Sequence, residues 1–438
     1  MNEEGRFIMP KVAFHTLGCK VNYYETEAVW ELFEAAGYEK VDYKSEADVY
    51  VINTCTVTNG GDKKSRQIIR RAIRKNPEAI ICVMGCYAQT KPKEIMDIEG
   101  VDIIIGTHGR DKIIDLVRKY EQERKPINLV SNIWNHTEFE TLNVTKFENR
   151  RRAALKIQDG CNQFCTFCII PWARGKVRSE KPETVISQVK ELVANGHIEI
   201  VLTGIHTAAY GEDFEDYSFG RLLKALTQID GLKRLRISSI EATEITDEVS
   251  EAIQASDVIV DHLHIPIQSG SDDILKAMKR NYTVAEFEAK IHELRVILPN
   301  LSLTTDVIVG FPGETDELFA ETVATLKRIG FSELHVFPYS VRNGTKAAIL
   351  PNHVPDFTKT LRVNELLNLN EQLAKNFAAN CVDKIFDIIV EEAAEGAHIG
   401  HTGNYLKVKF KGSNLSPGDL ARVKIINANY PICDGEIV

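Results

Sequence analysis

The chain reads as an α/β protein of three parts: an N-terminal parallel-sheet (Rossmann-like) domain, a partial (β/α)6 barrel and a small C-terminal antiparallel β domain. Three observations predict it. Short apolar runs alternate with helical patterns over residues 10–120. A second alternating series starts at 153, and after a helical stretch at about 357–380 the pattern changes to short strands and turns. Strands alternating with helices imply a parallel sheet covered on both faces.

In chain order, KVAFHTL (11–17) is the first expected strand, followed by a helix from about Tyr24 to Ala36. Ala28, Leu32, Phe33 and Ala36 share one face of that helix, and Gly37 stops it. ADVYVIN (47–53), AIICVM (79–84) and VDIIIG (101–106) are further buried strands. Residues 121–150 are polar and irregular and end in the run Arg150-Arg151-Arg152, which reads as a connection. The barrel strands are expected at 154–160, 198–204, 234–240, 262–268, 303–310 and 333–340. VDKIFDIIVEE, NYLKVKFKG and ARVKIINAN build the last part. The expected divisions are 1–125, a link at 126–150, 151–372 and 373–438.

A length of 438 residues calls for two or three domains, and 44% hydrophobic with 26% charged residues is a globular composition. No apolar run approaches a membrane span, and the acidic opening MNEEGRFIMPKVAF lacks a signal-peptide core. A cytoplasmic protein without a membrane or DNA partner is expected. Net charge −9 excludes a generally basic nucleic-acid binder, so any RNA contact must be local. Nine cysteines in a reducing compartment point to metal binding or catalysis where they cluster.

Cys161, Cys165 and Cys168 stand at C-x3-C-x2-C directly after an expected strand. Three thiolates on one tight loop can hold three irons of a 4Fe–4S cube and leave the fourth open. A structural zinc site would want four closed ligands, and the next histidine is as distant as His197. Cys19, Cys55 and Cys86 are far apart in sequence, yet each follows an expected parallel strand. Loops at the carboxyl ends of such strands converge over one crevice, which suits a second cluster. Ordinary buried thiols are the plain alternative. Cys82 belongs to packing, and Cys381 and Cys433 are structural.

Other strand ends offer candidates for the same pocket as the second cysteine set: Thr203 and Gly204, Ser239 and Glu241, and Gln268. Each alone is as readily a turn residue. Lys63, Arg66, Arg70 and Arg74 share one helix face and could neutralise phosphates, or simply be solvated. Lys407, Lys409 and Lys411 project from one side of a strand, which reads as RNA-facing or merely outward.

LGCKVNYYETE, VINTCTVTN, GCYAQ, IQDGCNQFCTFCIIPWARG, HIPIQSGSDDILKAMKR, DVIVGFPGET and HVFPYSVRNGT together resemble the radical S-adenosylmethionine (SAM) methylthiotransferases. The likeness runs from about Lys11 through the last domain, which resembles a TRAM RNA-binding domain. It implies that Cys161, Cys165 and Cys168 hold a SAM-binding 4Fe–4S cluster. It also implies that Cys19, Cys55 and Cys86 hold an auxiliary 4Fe–4S cluster from which sulfur is delivered. No catalytic residue beyond the cluster ligands is assigned, and SAM contacts are placed at Thr203, Gly204, Ser239, Glu241 and Gln268. With Lys20-Val21-Asn22 after Cys19, the chain is more similar to the branch acting on N6-threonylcarbamoyladenosine in tRNA than to the branch acting on isopentenyladenosine. A third branch, acting on a ribosomal-protein aspartate, differs again. Expected partners are tRNA and an electron donor such as flavodoxin or ferredoxin. Trp172 and His206 depart from the family pattern, where tyrosine and asparagine are usual. A zinc-stabilised, non-catalytic RNA-binding protein is the reading from a different class.

Overall fold

The computed structural model describes residues 9–147, 152–394, 396–412 and 415–438. Residues 1–8, with most of the acidic opening, and Arg150 and Arg151 of the basic run lie outside the described residues.

The N-terminal sheet holds six parallel strands: β1 (Lys11–Thr16), β2 (Glu39–Val41), β3 (Val49–Thr54), β4 (Ile80–Gly85), β5 (Ile103–Ile104) and β6 (Ile127–Asn128), in the order β2-β1-β3-β4-β5-β6. Every residue of β3 and β4 is buried, as central strands covered on both faces must be. Helix α1 (Lys20–Ala35) packs on one face and α2 (Asn59–Lys75) on the other. Two expectations need correction. Helix α1 starts at Lys20, not near Tyr24, because Cys19 takes the extended N-cap conformation right after the strand-end turn. The stretch expected as a loose connection contributes β6, which completes the sheet edge beside β5. With only two residues, β6 is too short for apolar periodicity to reveal.

Six more parallel strands form the partial barrel: β7 (Arg152–Lys156), then, after a small antiparallel pair β8 (Gln158–Asp159) and β9 (Arg178–Ser179), β10 (Glu199–Thr203), β11 (Arg234–Ile237), β12 (His262–His264), β13 (Ser302–Val309) and β14 (Glu333–Pro338). Single bridges Leu235–Ile259 and Ser239–His264 join β11 to β12, so the wall runs β7-β10-β11-β12-β13-β14. No ladder joins β14 back to β7 among the described residues. Leucine, isoleucine and valine between this wall and its outer helices form the largest core.

Helix Asp356–Ala379 runs past β14 into the last part, a closed barrel of β15 (Ile385–Ala394), β16 (Ala397–Thr402), β17 (Lys407–Lys411), β18 (Leu420–Asn427) and β19 (Cys433–Ile437). Its pairings are antiparallel except β17 with β19. The partial barrel binds it through main-chain oxygens. Arg236 donates to the carbonyls of Gly403 (2.6 Å) and Thr402 (3.2 Å), and Arg234 to those of Asp387 (2.5 Å) and His401 (3.0 Å). The Arg236 guanidinium also lies 3.7 Å from the ring centre of Tyr405.

Candidate active site

Cys19, Cys55 and Cys86 follow β1, β3 and β4, which are neighbours in the sheet, so their loops meet at one edge. The three thiols lie within electrostatic reach of one another. Gly18 and Gly85 make the approach possible. A Cβ on Gly18 would stand 3.2 Å from Cys55 Sγ, and one on Gly85 would stand 2.3 Å from Asn53 Oδ1; both residues have positive φ. Cys86 is buried as the first residue of helix α3 (Cys86–Thr90), and burial pushes its thiol up to about 12 against the pull of Arg174. Cys82 lies within the apolar β4 and serves packing.

Arg174 ends the short helix Ile170–Arg174 and ties this crevice to the barrel. Its Nε donates to Cys86 Sγ at 3.2 Å, one Nη to Asn22 Oδ1 at 2.7 Å, and the other to Glu25 Oε1 at 2.5 Å. Glu25 also takes Lys156 (3.0 Å) and Arg110 (3.1 Å), while Asp159 takes Lys156 (2.6 Å), Arg174 (3.3 Å) and Arg178 (3.6 Å). Glu140 pairs with Arg110. All are buried. Burial opposes the charge on Glu25 and Asp159, yet the surrounding cations outweigh it and hold both carboxyls well below the usual range. Four cations against three carboxylates leave one positive charge in excess beside Cys86, the polarity that favours thiolates.

The second set sits on the loop after β8. Phe164, in the left-handed region at φ 49°, bends it tightly. Each sulfur has an N–H donor: Gln163 N to Cys161 Sγ (3.5 Å), Arg280 Nη1 to Cys165 Sγ (3.3 Å) and Ile170 N to Cys168 Sγ (3.4 Å). Such donors stabilise sulfur-bound charge. Burial raises the thiols of Cys165 and Cys168, the latter to about 12. Buried thiols of this kind ionise when a metal supplies the positive charge.

A single zinc ion, with Zn–S bonds of about 2.3 Å, draws its thiolates to within roughly 4 Å of one another. Among the described residues the trio that comes together closely enough for one ion is His264, Asp306 and His335; neither cysteine set does. The open spread of both sets fits a larger inorganic core. In the histidine trio, Asp306 already accepts from both imidazoles (3.2 and 3.3 Å), so its groups satisfy each other.

The remaining expected residues are placed as follows. Thr203 ends β10, buried, and Gly204 packs on Gln158, whose Oε1 would lie 2.8 Å from a Cβ there. Ser239 is exposed beyond β11. Glu241 pairs with Arg280, the residue that donates to Cys165, so its carboxylate reaches the cysteine loop through that arginine. Gln268, at φ 62°, bridges to β13. His206 lies against Cys161 and Glu244, which hold it charged despite burial. Trp172 is partly exposed and packs edge-on to Phe164, whose other neighbour is the parallel ring of Trp134. On α2, Lys63, Arg70 and Arg74 are exposed, whereas Arg66 is half-buried and donates to Tyr87 Oη at 2.7 Å. A shallow groove runs past Gln67, Arg70, Arg71 and Arg74. On β17, Lys409 and Lys411 are exposed and Lys407 half-buried, while Val408 and Phe410 fill the small barrel. Arg174, Arg280, Glu25 and Asn22 escaped the sequence reading; WARG in the cysteine segment was the available signal for the first.

A partial parallel barrel carrying three cysteines on its first loop defines the radical SAM class. The radical SAM superfamily model matches residues 155–326, and that of an uncharacterized family, UPF0004, matches 11–106. The chain is 57% identical over 436 residues to the threonylcarbamoyladenosine tRNA methylthiotransferase MtaB of Bacillus subtilis (strain 168), covering 98% of this chain and 97% of that one. It is 40% identical to the protein of the same name from Aquifex aeolicus (strain VF5), covering 95% and 100%. It is 34% identical to a tRNA-2-methylthio-N(6)-dimethylallyladenosine synthase of Clostridium botulinum (strain Hall / ATCC 3502 / NCTC 13319 / Type A), covering 100% and 99%. Among solved structures, the radical SAM methyltransferase TsrM of Kitasatospora setae, with cobalamin and a [4Fe-4S] cluster, superposes with a TM-score of 0.60 at 14% identity, over 78% of this chain and 77% of that one. The chain belongs to the methylthiotransferase family of radical SAM enzymes, whose cofactors are SAM and 4Fe–4S clusters.

Proposed function

We propose that this enzyme places a methylthio group on carbon 2 of N6-threonylcarbamoyladenosine, next to the anticodon of tRNA. The observation that carries the reading is two separate cysteine trios, with Arg174 joining Cys86 of one to Asp159 just before the loop of the other, in a chain 57% identical to an enzyme named for that substrate. Cys161, Cys165 and Cys168 are assigned to the SAM-binding cluster, and Cys19, Cys55 and Cys86 to the auxiliary one. When bound, these groups supply a hydrogen-abstracting radical and the transferred sulfur.

The chain's own residues do the rest. Arg280 orients Cys165 and is held by Glu241. Arg174 couples Cys86 to Asp159 on β8, two residues before Cys161. Thr203, Gly204, Ser239 and Gln268 border the SAM side. Exposed Lys63, Arg70 and Arg74 on α2, with Lys409 and Lys411 on β17, take RNA phosphates. Residues 1–125, 151–372 and 373–438 act as auxiliary-cluster, radical and RNA-gripping units. The protein works in the cytoplasm, and a small flavodoxin or ferredoxin donates electrons. No helix among the described residues is long and apolar enough to cross a membrane.

Mass spectrometry of tRNA nucleosides from a deletion strain tests the substrate. Loss of the methylthio form of threonylcarbamoyladenosine alone is expected. Loss of the isopentenyladenosine product instead, or of neither, overturns the reading. Oxygen-free reconstitution tests the assignment of two clusters, with about eight irons per chain expected.

A further inference from the structure

The two kinds of relative differ in the substituent their names place on the adenine. A threonylcarbamoyl group ends in a carboxylate and a hydroxyl; a dimethylallyl group is a hydrocarbon. An enzyme that selects the first gains from a cation not already committed elsewhere, placed where that carboxylate arrives.

Five cations near the two cysteine sets and the barrel wall are committed. Lys156 and Arg174 serve Glu25 and Asp159. Arg234 and Arg236 serve Glu199 and the carbonyls of the C-terminal barrel. Arg280 serves Glu241. Lys20 differs. It is the first residue of α1, directly after Cys19, and its side chain is exposed. Among the described residues it has no ion pair, hydrogen bond or ring partner. Helix α1 overhangs the barrel mouth, as the Glu25–Lys156 pair one turn further on requires. Lys20 also lies near enough to the barrel strands to oppose, as a smaller influence, protonation of His262 on β12, which burial already disfavours, and of His335 on β14, which Asp306 favours. Asp306 is already engaged by His264 and His335 at 3.2 and 3.3 Å.

We propose that Lys20 is a specificity-determining residue: its ammonium pairs with the carboxylate of the substrate's N6 substituent and selects an acidic substituent over a hydrocarbon one. This rests on the threonylcarbamoyladenosine reading above. Placing the reader one residue from Cys19 sets the substituent and the sulfur-bearing side of the chamber in fixed register.

The test uses the reconstituted full-length enzyme and three anticodon stem-loop RNAs, carrying threonylcarbamoyladenosine, its carboxyl methyl ester, or dimethylallyladenosine. Binding is read by fluorescence anisotropy, methylthiolation as kcat/KM, and iron content is measured alongside. Wild type is expected to bind and process the acid about tenfold to a hundredfold better than the ester, the span of one charge-assisted pair. Lys20→Met should treat acid and ester alike, and Lys20→Arg should restore the preference. A wild type indifferent to esterification, or a Lys20→Met enzyme that keeps the preference, overturns the proposal. Because the acid–ester comparison needs no variant, it decides even if Lys20→Met loses iron. A wild type that modifies the dimethylallyl RNA and neither of the others would instead overturn the substrate reading, and the proposal with it.

Discussion

Arg174 Nε lies 3.2 Å from Cys86 Sγ, although the two residues sit on separate short helices, 88 positions apart. That bond spans the seam between the two cysteine-bearing regions, and the same side chain holds Glu25 of α1 on the Cys86 side and Asp159 of β8 on the barrel side. A single guanidinium therefore sets both the charge and the spacing of the site.

Replacing Arg174 with glutamine leaves Glu25 and Asp159 short of a buried cation. A loss of about 3–5 kcal/mol in stability is expected, read as thermal unfolding. Arg174→Lys keeps the charge and loses the forked geometry. It should fold, yet retain less iron in the Cys19–Cys55–Cys86 set, measured by iron analysis after mild chelation.

Cys165→Ala should abolish SAM cleavage. Cys55→Ala should retain cleavage and lose methylthiolation. Quantifying 5′-deoxyadenosine and methylthio product in parallel checks both, and equal cleavage by wild type and Cys165→Ala would contradict the assignment.

Gly85→Ala places a Cβ 2.6 Å from Thr54 O at φ 97°. The strand end must shift, carrying Cys86 with it. A destabilisation of about 1–3 kcal/mol is expected by denaturant unfolding, together with loss of iron that matches Cys86→Ala.

The His335 imidazole is raised above its ordinary value by its hydrogen bond and charge pairing with Asp306. A raised folded-state pKa contributes stability that is complete below the unfolded value of about 6.5 and is lost as pH rises through the folded value. His335→Gln should therefore narrow the gap to wild type as pH rises above about 6.5, checked by unfolding midpoints between pH 5.5 and 9.

Neutralising Arg70 and Arg74 together should weaken RNA binding and reduce the slope of log affinity against log salt by roughly two. Lys409→Gln with Lys411→Gln should act additively with that pair. Anisotropy at several salt concentrations measures both, and an unchanged slope would assign these faces to solvent.

The strand ends that carry the cysteines were legible because a parallel sheet delivers its loops to one edge, whatever their separation in sequence. Alternation in LKVKFK placed Val408 and Phe410 inside and Lys409 outside. The network of Glu25, Arg110, Lys156, Asp159 and Arg174 was not legible, since no local period marks charges that meet only after two sheets dock. Arg280 was hidden for the same reason, 115 positions from the thiol it serves. Strands β16 and β19 were missed because histidine, threonine, aspartate and glycine break their apolar rhythm.

Arg234 and Arg236 grip peptide oxygens of residues 387 and 401–403, and Tyr405 adds a ring beneath the Arg236 guanidinium. The peptide contacts are indifferent to the side chains at 387 and 401–403, so those positions can vary while the docking persists, whereas the ring contact ties position 405 to an aromatic residue. The same grip also anchors the small C-terminal barrel directly to β11, so any force on that barrel is transmitted into the wall of the larger one.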